Sequence, residues 1–387
     1  MLLAKRLEGI GEYYFSQKLR EIDDLNKQGK NIINLGIGSP DQPPHPDVIR
    51  VLQEESAKPN VHAYQPYKGS PLLRRAITEW YKKWYAVDLN PETEVLPLIG
   101  SKEGLMHICM TYFEEGHGVL VPNPGYPTYS SAVKLSGATP IYYDLKEENR
   151  YEPDFDELEK LIQASSKKIK GLFVNYPQMP TGQLPTKQLF ENLVAFGKEN
   201  NILVIHDNPY SFILNENPLS ILSVKDSKDC AIELNSLSKS HNMAGWRVGM
   251  LCGAKERIDE VLRFKSNMDS GMFLPVQLAA AKALTLGEDW HRQVNEVYSK
   301  RRKKVFELLD LLHCVYSKEQ AGLFVWAKID KKFKDCYECA DNILYNSHVF
   351  ITPGGIFGTA GNQYIRVSLC ATEEKIEEAK QRIINHY

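Results

Sequence analysis

The sequence has no long hydrophobic run and almost no excess of charge of either sign. No segment reaches the roughly 20 apolar residues that a membrane-spanning helix needs, and Lys5 and Arg6 come too early for the apolar core of a secretory leader. The 47 Lys and Arg against 49 Asp and Glu give a formal net charge of -2, so no overall field draws the chain to nucleic acid or to an anionic membrane. We therefore expect small-molecule partners, with no nucleic acid and no membrane.

The sequence also lacks a disulfide framework. Its seven cysteines are odd in number and scattered, which indicates a reducing, cytoplasmic location. Cys336 and Cys339 form one CxxC pair, but no second pair accompanies it, and zinc prefers about four ligands. The pair is either half of a metal site or two cysteines on one face of a short helix, and we expect no metal.

What the sequence does have is an alternation of short β-rich runs with longer helical patterns. At 387 residues, and about 150 residues for a typical domain, the chain has room for two or three domains. The alternation predicts an α/β fold whose largely parallel sheet is covered by helices on both faces. From about Trp290 a long charged helix, followed by a strand at 322–329, predicts a second, smaller domain. The strands predicted for the main sheet are 94–99, 118–121, 139–143, 171–175, 202–206, 231–234 and 248–252.

Unusual residues stand where several of these strands end, at the edge where parallel sheets bind ligands. After the first strand, Gly100 leads into a helix that begins at Ser101, and the unpaired amides of such a first turn can bind a phosphate. Another strand delivers Asp207 and Tyr210 to the same edge. Taken alone, a glycine followed by a serine is common at strand-to-helix turns. Asp207 could equally be a helix cap or a salt-bridge partner.

Lys239 follows a buried strand among small hydroxyl residues, with Arg247 eight residues later. A lysine there is poorly placed as a solvated surface charge. A partly desolvated amine loses its proton easily and can attack a carbonyl, so this lysine is a candidate nucleophile.

These segments resemble class I and II pyridoxal-phosphate aminotransferases of fold type I. Each motif is weak alone, but the set follows the family order over nearly the whole chain. GSKEG, NYP and SKSHNMAGWRVG are most similar to the aspartate and diaminopimelate aminotransferase branch. The motifs are GIGSPD (36–41), YQPYKG (64–69), GSKEG (100–104), PNPGYP (122–127), NYPQMPTG (175–182), DNPY (207–210), SLSKSHNMAGWRVG (236–249), PGGIFG and YIRVSL.

The resemblance implies an architecture and a partner. A large domain at 45–285 would hold a mostly parallel, mixed seven-stranded sheet between helices and would bind pyridoxal 5′-phosphate. A smaller α+β domain would comprise 286–387, and residues 1–44 would form an N-terminal arm and part of that smaller domain. The tyrosine that matches Tyr64 reaches the cofactor phosphate across a subunit interface in this family, which implies a homodimer with shared active sites.

The resemblance also assigns roles to residues. Lys239 would link covalently to the cofactor and then move the proton at the substrate Cα, Asp207 would keep the pyridine nitrogen protonated, and Tyr210 would donate to the ring oxygen O3′. Tyr126 would lie on the ring face. Arg366, near the Gly38 backbone, would bind the substrate α-carboxylate. The residues implied to hold the phosphate are Ser101, Lys102, Ser236 and Arg247, with Tyr64 from the second subunit.

One position departs from the family. Met179 stands where the family has the asparagine of Asn-Pro-Thr-Gly, whose amide donates to O3′. Either Asn175 or Gln178 replaces it from the same loop, or Tyr210 is the sole donor.

The function implied is transfer of an amino group from an L-amino acid to a 2-oxo acid, by a ping-pong cycle through pyridoxamine phosphate. A cysteine-S-conjugate β-lyase of the same fold would use the same lysine, aspartate, tyrosine and arginine. A ligand-binding regulator would need a DNA-binding domain, for which the chain has no spare residues. The donor stays open: no arginine for a second carboxylate occurs in KSNMDSGMFLPVQ, while Tyr13, Tyr14 and Phe15 form either an apolar wall or an anchor for the arm.

Overall fold

The computed structural model describes residues 4–386, so the first three residues of the predicted arm and residue 387 lie outside the described residues. The helices are α1 (Tyr14–Lys27), α2 (Pro46–Ser56), α3 (Pro71–Tyr85), α4 (Ser101–Tyr112), α5 (Pro127–Leu135), α6 (Phe155–Ala164), α7 (Lys187–Glu199), α8 (Leu237–Ser240), α9 (Lys255–Lys265), α10 (Leu274–Leu284), α11 (Glu288–Leu311), α12 (Cys336–Ser347) and α13 (Glu373–Ile384). The strands are β1 (Ile33–Asn34), β2 (Val95–Leu98), β3 (His117–Asn123), β4 (Thr139–Asp144), β5 (Lys168–Asn175), β6 (Leu203–Asp207), β7 (Ala231–Ser236), β8 (Gly249–Gly253), β9 (Phe324–Lys328), β10 (Val349–Phe350), β11 (Thr352–Pro353) and β12 (Tyr364–Ser368).

The main sheet has seven strands in the order β2-β8-β7-β6-β5-β3-β4. β8 runs antiparallel to both of its neighbours, and the other pairs are parallel. The predicted mostly parallel, mixed seven-stranded sheet is therefore confirmed. The observed strands differ from the predicted ones mainly at their ends: β3 extends to Asn123 and β5 begins at Lys168, because polar residues continue the backbone pairing beyond the apolar run.

Both faces of this sheet are buried. Along β5, Leu172 and Val174 contribute to one hydrophobic cluster and Phe173 to another, as the period of two along a strand requires. The first cluster includes side chains of α3, α7 and α10, and the second includes side chains of α4, α5 and α9. Strands buried on both faces read as continuous apolar runs, which is why these strands were visible in the sequence.

The strand ends bring polar residues of distant segments together. Asn175 at the end of β5 pairs in register with Asp207 at the end of β6, and Ser236 ends the neighbouring β7. On the far side of β8, β2 is followed by Gly100, whose φ of 83° lies in the left-handed region that favours glycine. The chain can therefore turn sharply into α4 at this edge.

A third hydrophobic cluster lies against the antiparallel sheet β11-β12-β9, and side chains of α11, α12 and α13 belong to it. Ile33 from the N-terminal part of the chain belongs to this cluster, and β1 pairs with β10. These contacts agree with the predicted domain limits near 45 and 285, which stay predictions. Cys336 and Cys339 are buried on α12 in the same cluster, as two cysteines on one helix face. Within residues 4–386, no helix combines the length and the apolar character needed to cross a membrane.

Candidate active site

A cavity of about 430 Å³ opens where the main sheet, the N-terminal arm and the smaller sheet meet. Its wall includes eleven of the twelve predicted site residues. Tyr64 is the exception: its side chain is 91% exposed on the surface of this chain. The predicted residues in the wall are Gly38, Ser101, Lys102, Tyr126, Asn175, Asp207, Tyr210, Ser236, Lys239, Arg247 and Arg366.

Lys239 lies on the single turn of α8, directly after β7. Its Nζ donates to the carbonyl oxygen of Gly38 at 2.6 Å. Burial above all, with a smaller contribution from the positive charges of Arg366 and Arg247, lowers the pKa of this amine to about 8. About a tenth of the amine is therefore unprotonated at pH 7 and able to attack a carbonyl.

Asp207 is buried at the end of β6 with one oxygen in use and one free. Its Oδ2 accepts a hydrogen bond from the hydroxyl of Tyr129 at 2.8 Å, whereas its Oδ1 is buried without a partner in the described part of the chain. Burial raises the pKa of this carboxyl to about 6. A buried carboxylate oxygen without a partner is costly, so the cavity is suited to a group that presents a cationic N–H, such as a pyridinium. Tyr129 was missed in the sequence, although it lies one helical turn after Tyr126.

Behind Asp207 is a buried network that sequence reasoning also missed. His206 Nδ1 lies 2.8 Å from Glu233 Oε2, which also accepts from the Ser220 hydroxyl at 2.7 Å, and the Tyr81 hydroxyl donates to Oε1 at 2.8 Å. The charge of His206 lowers the pKa of Asp207 and that of Glu233 raises it. The network therefore affects the charge state of Asp207, although none of its four residues lines the cavity.

The N-terminus of α4 forms a cradle with Arg247. A Cβ on Gly100 would lie 2.2 Å from Arg247 Nη2, and one on Gly249 would lie 2.5 Å from the Ser101 backbone nitrogen. Both positions therefore need glycine for the guanidinium and the first-turn amides to come so close. Ser236 lies beside them in the same wall. Unpaired amides, a helix N-terminus and an arginine together provide what a phosphate requires.

Arg366 is buried on β12 without a carboxylate partner among the described residues. Its Nη2 donates to the Gly36 carbonyl at 2.9 Å, its Nη1 lies 3.2 Å from Met179 Sδ, and its Nε has no hydrogen-bond partner in the described part of the chain. Burial lowers its pKa to about 10, which still leaves it charged at neutral pH. The Phe324 ring lies 3.7 Å from its Cζ. A buried guanidinium facing a cavity is suited to bind a carboxylate.

The aldehyde, pyridine nitrogen and phosphate of pyridoxal phosphate each have a matching group in this wall, and comparison with known proteins gives the family. The profile of the family "Aminotransferase class I and II" matches residues 30–383. The chain belongs to this family. Its members use pyridoxal 5′-phosphate, so the predicted family, fold, cofactor and aminotransferase activity are confirmed.

Known aminotransferases and a solved structure align with this chain over nearly its full length. The chain is 38% identical over 387 residues to an LL-diaminopimelate aminotransferase of Dehalococcoides mccartyi, covering 100% of this chain and 99% of that protein. An LL-diaminopimelate aminotransferase of Halothermothrix orenii is 37% identical over 384 residues, or 99% and 98% of the two chains. The solved structure of BacF from Bacillus subtilis has a TM-score of 0.94 and 34% identity, covering 100% of this chain and 98% of that one.

In the loop 175–182, where Met179 replaces the family asparagine, both amide side chains form hydrogen bonds within the protein. Asn175 Nδ2 donates to the Asp207 carbonyl at 2.6 Å, and its Oδ1 accepts from the Met179 amide at 2.8 Å. Gln178 Nε2 donates to the Pro124 carbonyl at 2.9 Å, and its Oε1 accepts from Thr181. Met179 itself is buried against Arg366. Asn175 reaches the cavity wall and Gln178 does not.

Proposed function

We propose that this aminotransferase moves an amino group from an L-amino acid to a 2-oxo acid in the cavity around Lys239. The proposal rests on three buried groups that line one cavity. They are the Lys239 amine with its lowered pKa, the Asp207 Oδ1 and the Arg366 guanidinium; Asp207 Oδ1 and Arg366 Nε have no hydrogen-bond partner among the described residues. Bound pyridoxal phosphate supplies an electron sink for negative charge at the substrate Cα. A cysteine-S-conjugate β-lyase is not favoured, since the full-length relatives are aminotransferases.

In this proposal Lys239 would hold the cofactor and afterwards move the proton at the substrate Cα, for which its lowered pKa is suited. Asp207 would keep the pyridine nitrogen protonated, and Tyr126 would contact the ring. The phosphate is held by the α4 amides of Ser101 and Lys102, together with Ser236 and Arg247.

Arg366 and Gly38 orient the substrate. Arg366 binds the α-carboxylate through two parallel hydrogen bonds, which fixes the Cα–H bond relative to the ring. Gly38 has no room for a side chain, because a Cβ there would lie 2.1 Å from the Phe324 ring. The loop after it is fixed by the ion pair between Asp41 and Arg301, with N–O distances of 2.7 and 2.8 Å.

Tyr210 is the donor to O3′ in this proposal. Asn175 and Gln178 each already donate a side-chain hydrogen bond to a backbone carbonyl, whereas the Tyr210 hydroxyl makes no hydrogen bond within residues 4–386. Burial raises the pKa of Tyr210, which keeps its hydroxyl protonated. Met179 contributes packing against Arg366 instead of a hydrogen bond.

Restoring the family amide tests this assignment. A donor to O3′ stabilises negative charge on that oxygen and competes with the proton there, so Met179→Asn should lower the pKa of the bound cofactor chromophore. A neutral hydrogen bond contributes about 0.5 to 1.5 kcal/mol, which corresponds to a shift of up to about one pKa unit. The measurement is a pH titration of the visible absorption band. An unchanged midpoint would show that a donor already occupies the position beside Met179.

The second subunit is also part of the proposal. Tyr64, 91% exposed in this chain, would reach the phosphate of a partner's site. Three further large apolar side chains, Tyr67, Met268 and Phe273, are 46, 62 and 44% exposed, and the Phe273 ring stacks on His62 at 5.8 Å. Burial of such side chains would favour association with a second subunit. Sedimentation should give a dimer, and a monomer at micromolar concentration would contradict shared sites. The seven free thiols support a cytoplasmic location.

An assay of the holoenzyme tests the activity. Each 2-oxo acid consumed should yield one new amino acid, with no ammonia released, whereas a lyase would release ammonia without an acceptor. Arg366→Ala should raise the apparent KM by a similar factor, about 10- to 150-fold, for every amino acid donor. The α-carboxylate is common to all donors, and a charge-assisted hydrogen bond contributes about 1.5 to 3 kcal/mol. A change confined to one donor would show that Arg366 binds a substrate side chain instead.

A further inference from the structure

The part of the cavity next to Arg366 is apolar and aromatic. Six residues of the wall form this lobe, which we call the apolar lobe: Tyr13, Phe15, Ile37, Met179, Phe324 and Phe357. We infer that the preferred substrate carries an apolar side chain, above all an aromatic one, and that Phe15 of the N-terminal arm selects it. The inference rests on the proposed function, because Arg366 must first fix the α-carboxylate.

The distances place this lobe beside the substrate Cα. The rings of Phe324, Phe357 and Phe15 lie 3.7, 4.5 and 5.6 Å from Arg366 Cζ. The Cα of an amino acid is bonded directly to its carboxylate, so its side chain begins within a few ångströms of the atom that Arg366 binds. A side chain entering this lobe would meet rings and aliphatic groups on several sides.

Three cations besides Arg366 lie in the cavity wall: Lys239, Arg247 and Lys102. The first two belong to the cofactor in the proposed function, and the Lys102 ammonium lies 4.8 Å from the centre of the Tyr13 ring, at one side of the apolar lobe. A second carboxylate among the other five side chains of the lobe would lose its hydration with no second arginine to replace it, which is costly. An aromatic side chain would instead gain from burial.

Phe15 belongs to the part of the N-terminal arm that lines the cavity. The adjacent Tyr14 packs against a cluster outside the cavity, but its ring also meets the Phe15 ring edge-on at 5.7 Å, so a Tyr14 variant would disturb Phe15 as well. Leu25, on the same helix, packs against that outside cluster without lining the cavity. A Leu25 variant can therefore separate selection by Phe15 from simple anchoring of the arm.

The experiment measures the half-reaction of the holoenzyme, which needs no acceptor. Absorbance of the cofactor gives second-order rate constants for L-phenylalanine, L-leucine, L-alanine, L-aspartate, L-glutamate and LL-diaminopimelate. Phenylalanine should react at least about 10-fold faster than alanine and about 100-fold faster than aspartate. An acidic donor or diaminopimelate that equals or exceeds phenylalanine would overturn the inference while leaving the proposed function intact.

Binding without turnover separates the two proposals. Calorimetry should show that 3-phenylpropionate binds the holoenzyme at least about 10-fold more tightly than succinate, because both present a carboxylate but only one presents a ring. Failure to bind pyridoxal phosphate, or inertness toward every donor, would refute the proposed function. Tighter binding of succinate would refute the apolar lobe as the selecting feature, whatever the turnover.

Variants of the arm give the decisive comparison. Phe15→Ala should lower the phenylalanine rate constant by about 10- to 100-fold and the alanine rate constant by less than about threefold. Phe15→Leu keeps bulk in the arm and should fall between the two. Leu25→Ala, which loosens the packing of the same helix outside the cavity, is the control and should leave the phenylalanine-to-alanine ratio unchanged. Equal losses for both donors in Phe15→Ala and Phe15→Leu would show that Phe15 only anchors the arm.

Discussion

Lys239→Ala is expected to lower turnover by at least roughly 10⁴-fold, the largest effect of any substitution in this chain. The variant loses both the nucleophile that attaches the cofactor and the base that moves the Cα proton, and general acid–base catalysis alone contributes about 10²- to 10⁴-fold. Its amine is suited to both tasks because burial lowers its pKa to about 8. Single-turnover kinetics with a saturating donor measures the loss in the chemical step.

Cofactor affinity should suffer much less in the same variant. The α4 amides and Arg247 remain to hold the phosphate, so equilibrium binding of pyridoxal phosphate should persist without a covalent bond. In the wild-type protein, borohydride should fix the cofactor to the peptide that contains Lys239. An adduct on another lysine, such as Lys102 in the same wall, would overturn the assignment. Lys134→Ala, an exposed position on α5, serves as the control for substitution of a lysine.

The sequence predicted those features that local pattern encodes. The strands of the main sheet were visible as apolar runs, and Asp207 and Lys239 stand at the strand ends where ligands bind. Eleven residues of the cavity wall were predicted from motifs that are each local in sequence, although the motifs lie far apart along the chain.

Contacts between distant residues were not predictable in the same way. Tyr129 and Asp207 are 78 positions apart, and Met179 and Arg366 are 187 apart. No period or motif links such pairs, because their contact depends on how the sheets and the arm pack. The contacts of Arg366 with the Phe324 and Phe357 rings also join distant segments, so the sequence alone did not predict them. These contacts are the ones that favour a donor with an apolar or aromatic side chain.

Asp207→Ala is expected to lower the rate of amino transfer by roughly 10³-fold or more. A carboxylate in a dry site holds the proton on the pyridine nitrogen, and electrostatic groups of this kind typically contribute 10²- to 10³-fold each. Asp207→Ala also removes the acceptor of the Tyr129 hydrogen bond. Its loss of rate therefore reflects both the missing charge and the altered packing around Tyr129. Asp207→Asn separates the two contributions, since it keeps the shape and removes the charge. Near-normal turnover of Asp207→Asn would contradict the pairing with the nitrogen.

The pH dependence of cofactor binding isolates the charge of Asp207. Burial raises its pKa to about 6 in the free protein, and a pyridinium beside Oδ1 would lower that value. A group whose pKa falls on binding contributes affinity above its free pKa and loses that contribution as pH drops through the bound value. The wild-type protein should therefore bind pyridoxal phosphate progressively more weakly below about pH 6. The cofactor phosphate titrates in the same pH range, so the quantity to measure is the ratio of the wild-type affinity to the Asp207→Asn affinity. This ratio should fall with decreasing pH. It would stay constant if Asp207 did not face the ring nitrogen.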